Sequence, residues 1–353
     1  MREALLRRGW CENTTKESQL FDLKWTLYDN DVGYALLRKE QMVNHYQNNS
    51  EITAKGPLCR NMRSSWWVTD VNPEEVFPRC FHVFADTEWE GFVQTFYLTA
   101  AQGLLAMFAE RAANGSAHVW TSGTLGLVRV AARVSEHRVR RLRHEEPEQV
   151  RCEWVAPPPP EEDGGGKPPA TAGGVELMAG GVAVAELERM LQVFYQARDA
   201  VRRKSQPRVY ARTGASGGGR ARDAGAAAER GVEEGAGDGV DEAQLLDLEQ
   251  ECRAVLGELG DVDPQFHMTG QQNVWIIKAS NSSKGVGIKL FDKLAQVQDC
   301  KGSSRVLQKY VERPLLLHTR KFDLRCWVLV TDWNPLSIWL YDECIARICA
   351  DAW

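Results

Sequence analysis

The sequence predicts a mixed α/β (α+β) protein with two folded parts separated by a long insertion. Three observations lead to this fold class. Apolar residues at helical spacing dominate residues 1–110, proline and glycine tracts interrupt residues 111–240, and short strand-like segments fill residues 241–353. A chain of 353 residues with 43% hydrophobic content is long enough for two domains, each with its own core.

Residues 1–110 are predicted to form an N-terminal α/β domain. The segment 20–27, LFDLKWTL, has strand character, and the segment 34–46, YALLRKEQMVNHY, has helical spacing. In the segment 90–110, the same spacing predicts a helix with about half of its surface apolar, carrying Phe92, Phe96, Leu98, Leu105 and Phe108.

Residues 111–240 are predicted to be a disordered, low-complexity insertion or linker. The tracts at 156–174 and 212–242 are rich in proline, glycine and small residues, and cannot bury enough apolar surface to fold. The apolar residues of 182–201, between the tracts, predict one helix. The arginine-rich run at 138–143 is typical of a solvated charge run.

Residues 241–353 are predicted to form a β-rich domain behind one helix. Asp241 can cap that helix, and Gly260 is expected to end it. Strand-like segments bounded by turn residues follow, and the dipeptide Asn334-Pro335 predicts a hairpin turn between the last two. The strand-like segments are NVWIIK, GVGIKLF, SRVLQKYV, KFDLRCWVLVTD and LSIWLYDE.

Composition excludes several classes of protein. A net charge of −5 and a pI near 5.9 argue against a protein held to nucleic acid by bulk positive charge. The nine cysteines include no CxxC pair, which favours free thiols in a reducing compartment over a disulfide framework or a zinc site. No segment approaches the roughly 18 apolar residues of a membrane span, and the first residues do not resemble a secretory signal.

The segment 278–291, KASNSSKGVGIKLF, is the first candidate for chemistry. It lacks the Walker pattern and the third glycine of a dinucleotide fingerprint. Read alone, it is typical of a mobile surface hairpin, or of a glycine loop whose amides and lysines face a phosphate chain. Further on, strand periodicity puts Lys321, Asp323 and Arg325 on one face, which is either a binding surface or a solvated face.

The order of these motifs resembles the ATP-grasp core of the tubulin tyrosine ligase-like family. The resemblance rests on NVWIIKASNSSKGVGI, VLQKYVERPLLL and RKFDLRCWVLVTDWNPLSIWLY, and covers about 270–349 closely. The N-terminal text around Gln41-Met-Val-Asn-His45, with VFPRCFHV and FVQTFYLTAA after it, is similar to the glycylase branch. A polyglutamylase of the same family is the alternative, and its N-terminal text usually differs.

The resemblance assigns roles to individual residues. Lys278 would meet the ATP phosphates, and the phosphate loop would include Lys284 and Gly285, with Gly287 following. The fragment Gln308, Lys309, Tyr310 and Val311 would form the hinge around adenine, and Lys321, Phe322 and Asp323 would contact the nucleotide. Arg325 and Arg347 are the expected catalytic residues, near the γ-phosphate and the acceptor carboxylate. Lys284 stands where glycylases more often have arginine, which keeps the charge but loses the bidentate fork.

The activity that the resemblance implies is attachment of glycine to glutamate side chains of tubulin tails. ATP would convert the carboxylate to an acyl phosphate, and the glycine amine would then displace phosphate. The expected cofactors are ATP and Mg²⁺, and the expected partners are glycine and tubulin tails or microtubules, with no nucleic acid and no membrane span. We expect a monomer acting in the cytoplasm, at the cytoskeleton and in the cilium or axoneme.

The family's magnesium ligands, an aspartate and a Glu-x-Asn unit, are expected beyond the position of Arg347, so no metal ligand is assigned within residues 1–353. We therefore expect an ATP-grasp domain truncated at its C-terminus, with little or no turnover by this chain alone. Two alternative interpretations are an inactive paralogue that binds tubulin or microtubules and a generic ATP-grasp ligase acting on a small carboxylate. The sequence separates neither initiating from elongating glycylation nor one acceptor from another.

Overall fold

The computed structural model describes residues 1–15, 17–65, 68–69, 71–113, 120–144, 182–205, 241–282 and 285–353. Helices and strands alternate irregularly along these residues, which confirms a mixed α and β protein. The helices are α1 (Arg2–Arg7), α2 (Ser50–Thr53), α3 (Lys55–Ser64), α4 (Asp86–Ala113), α5 (Ser122–Leu142), α6 (Val184–Ser205), α7 (Glu242–Val262) and α8 (Phe266–Thr269). The strands are β1 (Leu23–Lys24), β2 (Met42–Val43), β3 (Cys80–His82), β4 (Trp275–Ala279), β5 (Lys289–Phe291), β6 (Arg305–Lys309), β7 (Leu316–Leu317), β8 (Arg320–Arg325), β9 (Val328–Trp333), β10 (Leu336–Leu340) and β11 (Ile345–Ile348).

A four-stranded sheet in the order β3-β6-β4-β5 lies against a group of four long helices. Helix α4 contacts α5, α6 and α7, and thus lies at the centre of that group. The sheet packs on α4 through aromatic side chains. The rings of Phe92 and Trp275 meet edge to face at 5.2 Å, and those of Phe96 and Phe291 stack at 6.5 Å. Burial of such large side chains stabilises this interface.

Three smaller β units complete the described chain. Strands β7, β8 and β11 form a three-stranded antiparallel sheet, and β9 and β10 form a hairpin around the predicted Asn334-Pro335 turn. Strands β1 and β2 form a short parallel pair. The segment 34–46, predicted to be helical, instead has a single 3-10 turn at Tyr34–Leu36 and the strand β2. Its helical spacing is coincidental, because most of its side chains are exposed or half-buried.

The helices of 90–110 and 182–201 were predicted correctly, and so was the helix capped by Asp241. Asp241 Oδ1 accepts a hydrogen bond from the Ala243 amide, and the helix runs two residues past Gly260 to Val262. Helix α4 is long and apolar enough to span a membrane, contrary to our expectation. However, 78% of its most apolar window is buried inside the protein, which is the packing expected of a core helix.

The prediction that 111–240 is a disordered insertion is wrong where the structure describes this range. Helix α5 buries Val128, Ala131 and Val134 in the main core, and α6 buries Met190 and Phe194 there. Residues 114–119, 145–181 and 206–240, which include nearly all of both low-complexity tracts, lie outside the described residues. The arginine run on α5 is also not uniformly solvated, because the side chain of Arg138 is only 17% exposed.

A buried ion-pair network explains why Arg138 leaves the solvent. Arg79 Nη2 donates to both carboxylate oxygens of Asp263 at 2.6 Å and to Glu74 at 2.8 Å, and Arg138 donates to Glu74 at 2.7 Å. These contacts join α5 to the start of β3 and to the end of α7. The partners lie more than 60 residues from Arg138 in the sequence, so the local charge pattern cannot reveal them.

The expectation that all cysteines are free thiols is wrong for one pair. Cys59 and Cys80 form a disulfide that links α3 to β3 in a small cluster with Val306. Six other cysteines are free, of which Cys252 and Cys300 are buried. Cys152 lies outside the described residues.

Candidate functional site

The two faces of the four-stranded sheet have different roles. Successive side chains of a strand alternate between faces, so Trp275 and Ile277 of β4 face the α4 core while Ile276 and Lys278 face the other way. The register pairs Ile276 with Gln308 and Lys278 with Val306, which puts Gln308 on the same face as Lys278. This second face carries the candidate site.

Lys278 and Gln308, both predicted to bind nucleotide, are in direct contact. Lys278 Nζ donates a hydrogen bond to Gln308 Oε1, and Gln308 Nε2 donates to the Pro78 carbonyl at 3.3 Å. Burial lowers the pKa of Lys278 below its ordinary value, and the positive charges of Lys55 and Lys321 lower it further. Lys278 is therefore a partly desolvated cation with two other cations nearby.

Lys55, Lys278 and Lys321 form what we call the three-lysine cluster. Each comes from a different element: the start of α3, strand β4 and strand β8. Within the described part of the chain, none of the three forms an ion pair with a carboxylate; their ammonium groups donate to neutral oxygens instead. Three unpaired cations at one face are unfavourable without an anion, so the cluster is suited to bind phosphate.

Lys55 was not predicted as a site residue, and hydrogen bonds attach it to the loop after β4. The Lys55 amide donates to the Ser280 carbonyl at 3.2 Å, the Gly56 amide donates to Ser280 Oγ at 3.1 Å, and Lys55 Nζ donates to the Ser282 carbonyl. Glycine is required at position 56, because a Cβ there would lie 2.4 Å from Ser280 Oγ. These contacts fix the start of α3 against the loop after β4 and so place Lys55 in the cluster.

The predicted glycine hairpin joins β4 to β5. These strands are antiparallel, with Trp275 opposite Phe291, and the turn between them has Gly285 at φ 79° and Gly287 at φ 73°. Both glycines lie in the left-handed region, which other residues rarely adopt. Lys284, predicted to contact phosphate, lies outside the described residues.

The four residues of the predicted hinge, 308–311, do not all lie at the candidate site: the Lys309 side chain points into the interior of the protein. Tyr310 lies beside Lys321, whose Nζ donates to Tyr310 Oη at 2.8 Å and lies 4.4 Å from the centre of its ring. Tyr310 also stacks on Trp353, at 6.0 Å between ring centres. Val311 follows as a half-buried residue. The flat faces of Tyr310 and Trp353 are the kind of surface that binds a purine.

The Lys309 ammonium is not part of the three-lysine cluster. It is buried and donates to the carbonyls of Thr269, Val274 and Tyr310 and to Glu312 Oε1. Lys309 pairs with Trp275 across the sheet, which puts it on the core face. The sequence could not reveal this, because Gln308 and Lys309 look equally polar.

Lys321, Asp323 and Arg325 share one face of β8, as predicted, and Arg347 of β11 joins them there. Strand register puts Arg347 opposite Asp323, and the Arg347 guanidinium donates to Asp323 Oδ2. Arg325 lies two residues further along the same face and is exposed. Phe322 lies on the other face of β8. The two arginines predicted to be catalytic are thus neighbours on one exposed surface.

The described residues offer no metal site. No group of three or more His, Cys, Asp or Glu side chains within them lies close enough to hold a metal ion. The positive charge of this site comes from lysines.

Residues 233–353 match the model of the tubulin-tyrosine ligase family. The curated relatives that the chain resembles over most of its length are glycylases, which supports the glycylase branch of that family. It is 29% identical to Tubulin glycylase 3D of Tetrahymena thermophila over 100% of this chain and 34% of that protein. It is 30% identical to Tubulin monoglycylase TTLL3 of Danio rerio over 92% of this chain and 38% of that protein. It is 27% identical to Protein monoglycylase TTLL8 of Homo sapiens over 92% of this chain and 35% of that protein.

The chain spans about a third of the length of these relatives. The similarity covers nearly all of this chain, including the N-terminal residues outside the family match. That extent agrees with the predicted N-terminal resemblance to glycylases.

Proposed function

We propose that this chain binds ATP at the three-lysine cluster, as part of an ATP-grasp ligase that attaches glycine to glutamate side chains of tubulin tails. The observation that carries the proposal is the set of three lysines without carboxylate partners among the described residues. The match of residues 233–353 to the family model and the similarity to tubulin glycylases support the choice of reaction.

The reaction needs an activated carboxylate, because a glutamate carboxylate is a poor electrophile. Its oxygen would attack the γ-phosphorus of ATP, forming an acyl phosphate and releasing ADP. The glycine amine would then attack the acyl carbon, forming an amide bond and releasing inorganic phosphate and a proton. Both steps build negative charge on phosphoryl oxygens, so fixed cations aimed at those oxygens lower the barrier.

Each residue of the site has a proposed part in this scheme. Lys55, Lys278 and Lys321 would hold the phosphate chain, and Gln308 would orient the Lys278 ammonium. Tyr310 would support the adenine ring. Arg325 and Arg347 would attract the acceptor carboxylate, with Asp323 holding Arg347 in position. Mg²⁺ normally accompanies ATP in such reactions, and we assign it no ligand and no step here.

The proposed partners are glycine and the acidic tubulin tails, and the proposed place of action is the cytoplasm, cytoskeleton and cilium or axoneme. Because the tails are acidic, exposed arginines on β8 and β11 would attract them although the whole chain carries a net charge of −5. We propose that the chain acts as a monomer.

Calorimetric titration of ATP into the chain tests the nucleotide site. We expect Lys55→Gln to weaken ATP binding about tenfold or more, as removal of a charge-assisted contact does. Lys301→Gln is the matched control, since Lys301 is a half-exposed lysine that pairs with Asp86 at 3.1 Å. Equal ATP affinity in the wild type and in Lys55→Gln would refute the site.

Labelled amino acids test the reaction. The assay uses a chain extended through the expected aspartate and Glu-x-Asn unit, because residues 1–353 alone should give little or no turnover. With ATP and magnesium, we expect that longer chain to incorporate glycine, not glutamate, into tubulin tails. Incorporation of glutamate would instead identify a polyglutamylase. Binding of microtubules and ATP without incorporation of either amino acid would favour a non-catalytic binding protein.

A further inference from the structure

A cavity of about 230 Å³, separate from the candidate site, lies where the end of α3, strand β3, α4 and α5 meet. Strand β3 is an edge of the four-stranded sheet, two strands away from β4 and its Lys278. No residue of the three-lysine cluster lines this cavity. Four guanidinium groups do, from Arg63, Arg79, Arg138 and Arg141.

The carboxylates around this cavity do not balance its arginines. Asp263 and Glu74 both form ion pairs with Arg79, and Glu74 also pairs with Arg138. Glu88 pairs with Arg63 at 2.7 Å. Arg141 is exposed and has no acidic partner among the residues that the structure describes. Four guanidiniums therefore meet three carboxylates, which leaves one positive charge at the cavity.

A buried donor at this cavity also lacks an acceptor. The Arg79 side chain is 5% exposed, and its Nη2 makes all of its ion pairs, while its Nη1 has no hydrogen-bond partner within the described part of the chain. A buried guanidinium N–H without an acceptor is costly. Burial and the neighbouring charge of Arg79 also lower the pKa of Arg138, so added negative charge would stabilise both arginines.

We propose that this cavity binds one small oxyanion, a carboxylate or a phosphate group. Arg141 and Arg138 would contact the anion, and Arg79 would supply positive charge from the wall behind them. Gln94 of α4 also lines the cavity, and its side-chain amide group can donate a further hydrogen bond. The oxyanion comes either from free phosphate or from an acidic side chain of a peptide, because both present anionic oxygens that accept paired hydrogen bonds from arginine.

The test uses the full chain carrying Lys55→Gln and Lys278→Gln, because the three-lysine cluster would bind the same anions. Inorganic phosphate, acetate and a hexaglutamate peptide are titrated separately by calorimetry, at constant ionic strength set with sodium chloride. We expect saturable binding of at least one of them. Tighter binding of phosphate would identify a free-phosphate site, and tighter binding of hexaglutamate would identify a site for acidic peptides.

Two substitutions on this background separate the cavity from general surface charge. Arg141→Gln should weaken binding about tenfold, because it removes one charge-assisted contact. Gln94→Glu should abolish binding, because it adds a tethered carboxylate to the wall, and it should raise the unfolding temperature without anion. Arg133→Gln is the control on the same helix: Arg133 is 55% exposed, lies 3.9 Å from Glu186 and is not in the cavity.

The proposal would be overturned by the absence of saturable binding of all three anions. Equal affinities in Arg141→Gln and Arg133→Gln would overturn it as well, since the anion would then bind elsewhere. Neither result bears on the proposed ATP site, which is tested by Lys55→Gln in the otherwise unchanged chain.

Discussion

Lys278 Nζ donates a hydrogen bond to Gln308 Oε1 across the neighbouring strands β4 and β6. This contact fixes a half-buried ammonium on the open face of the sheet, beside two other lysines. A neutral amide holds the cation without neutralising it. The site therefore keeps its positive charge for an anionic ligand, at some expense to the ligand-free fold.

Lys278→Met should stabilise the ligand-free protein by about 1 kcal/mol at pH 7, as removal of strained functional residues commonly does. The folded-state pKa of Lys278 is lowered, so the cost of its charge is present below that pKa. The cost disappears as pH rises through it toward the ordinary lysine value. Urea unfolding at pH 7 and pH 10 should show the difference shrinking. Lys289→Met, at an exposed lysine on β5, is the control and should change stability little at either pH. A less stable Lys278→Met protein would contradict the prediction.

Binding of ATP should take up protons. A phosphate chain beside Lys278 would raise the pKa that burial, Lys55 and Lys321 lower in the free protein. ATP affinity should then fall as pH rises through the free-state pKa. Calorimetry in buffers of different ionisation enthalpy measures the uptake. Lys278→Arg should remove it, because a guanidinium stays protonated; proton release by the wild type would disagree with the proposed contacts.

Asp263→Asn should destabilise the protein by about 3–5 kcal/mol, because it leaves the buried arginines Arg79 and Arg138 to share the single carboxylate of Glu74. Burial raises the pKa of Asp263, but Arg79 and Arg138 more than offset this and hold it below the ordinary value. The stabilisation is thus present above the unfolded-state pKa and is lost as pH falls through the folded-state pKa. Urea unfolding at pH 7 and at pH 3 should show the effect of Asp263→Asn decreasing in acid.

Glu258→Gln is the control for that experiment. Glu258 lies on the same helix, α7, and pairs with Arg143 at 2.8 Å, but its side chain is 47% exposed. An exposed pair of this kind contributes at most about 1 kcal/mol. Equal effects of the two substitutions would show that the buried network adds nothing beyond a surface ion pair.

Gly56→Ala should weaken ATP binding and lower stability. Its Cβ would lie 2.4 Å from Ser280 Oγ and 2.9 Å from His82 Nε2, so the start of α3 must move off the loop that holds Lys55. Gly126→Ala is the matched glycine substitution, in the interior of α5, with nothing within 4 Å of its Cβ. It should raise stability by about 0.5–1 kcal/mol. Thermal unfolding and ATP titration of both variants test this, and an unchanged Gly56→Ala protein would speak against the docking of α3.

Local sequence patterns predicted most strands of the second half, although the segment KFDLRCWVLVTD, predicted as one strand, forms two strands, β8 and β9. Alternation in KFDLR predicted that Lys321, Asp323 and Arg325 share a face, and the register with β11 confirms it. Gly285 and Gly287 predicted a turn, and both have positive φ. Such predictions succeed because strand alternation and turn geometry depend only on residues a few positions apart.

Local patterns failed where a distant partner decides the outcome. The arginine run of α5 looks solvated until Glu74 and Asp263 are brought to Arg138. One local signal for α5 was available: the Thr124 amide donates to Thr121 Oγ1, a capping interaction at the helix start. For Lys55 no local signal exists, because its contact at Ser282 is 227 residues away.

The sequence by itself determined most strands of the second half, the shared face of β8, the glycine turn, the helices of 90–110 and 182–201, and the resemblance to glycylases. The tertiary structure alone decided which lysines meet. It turned the Lys309 ammonium into the core and brought Lys55 to Lys278, although nothing nearby in the sequence distinguishes them. The physical reason is that the charge around a side chain is set by whatever packs next to it, and α3, β4 and β8 become neighbours only when the chain folds.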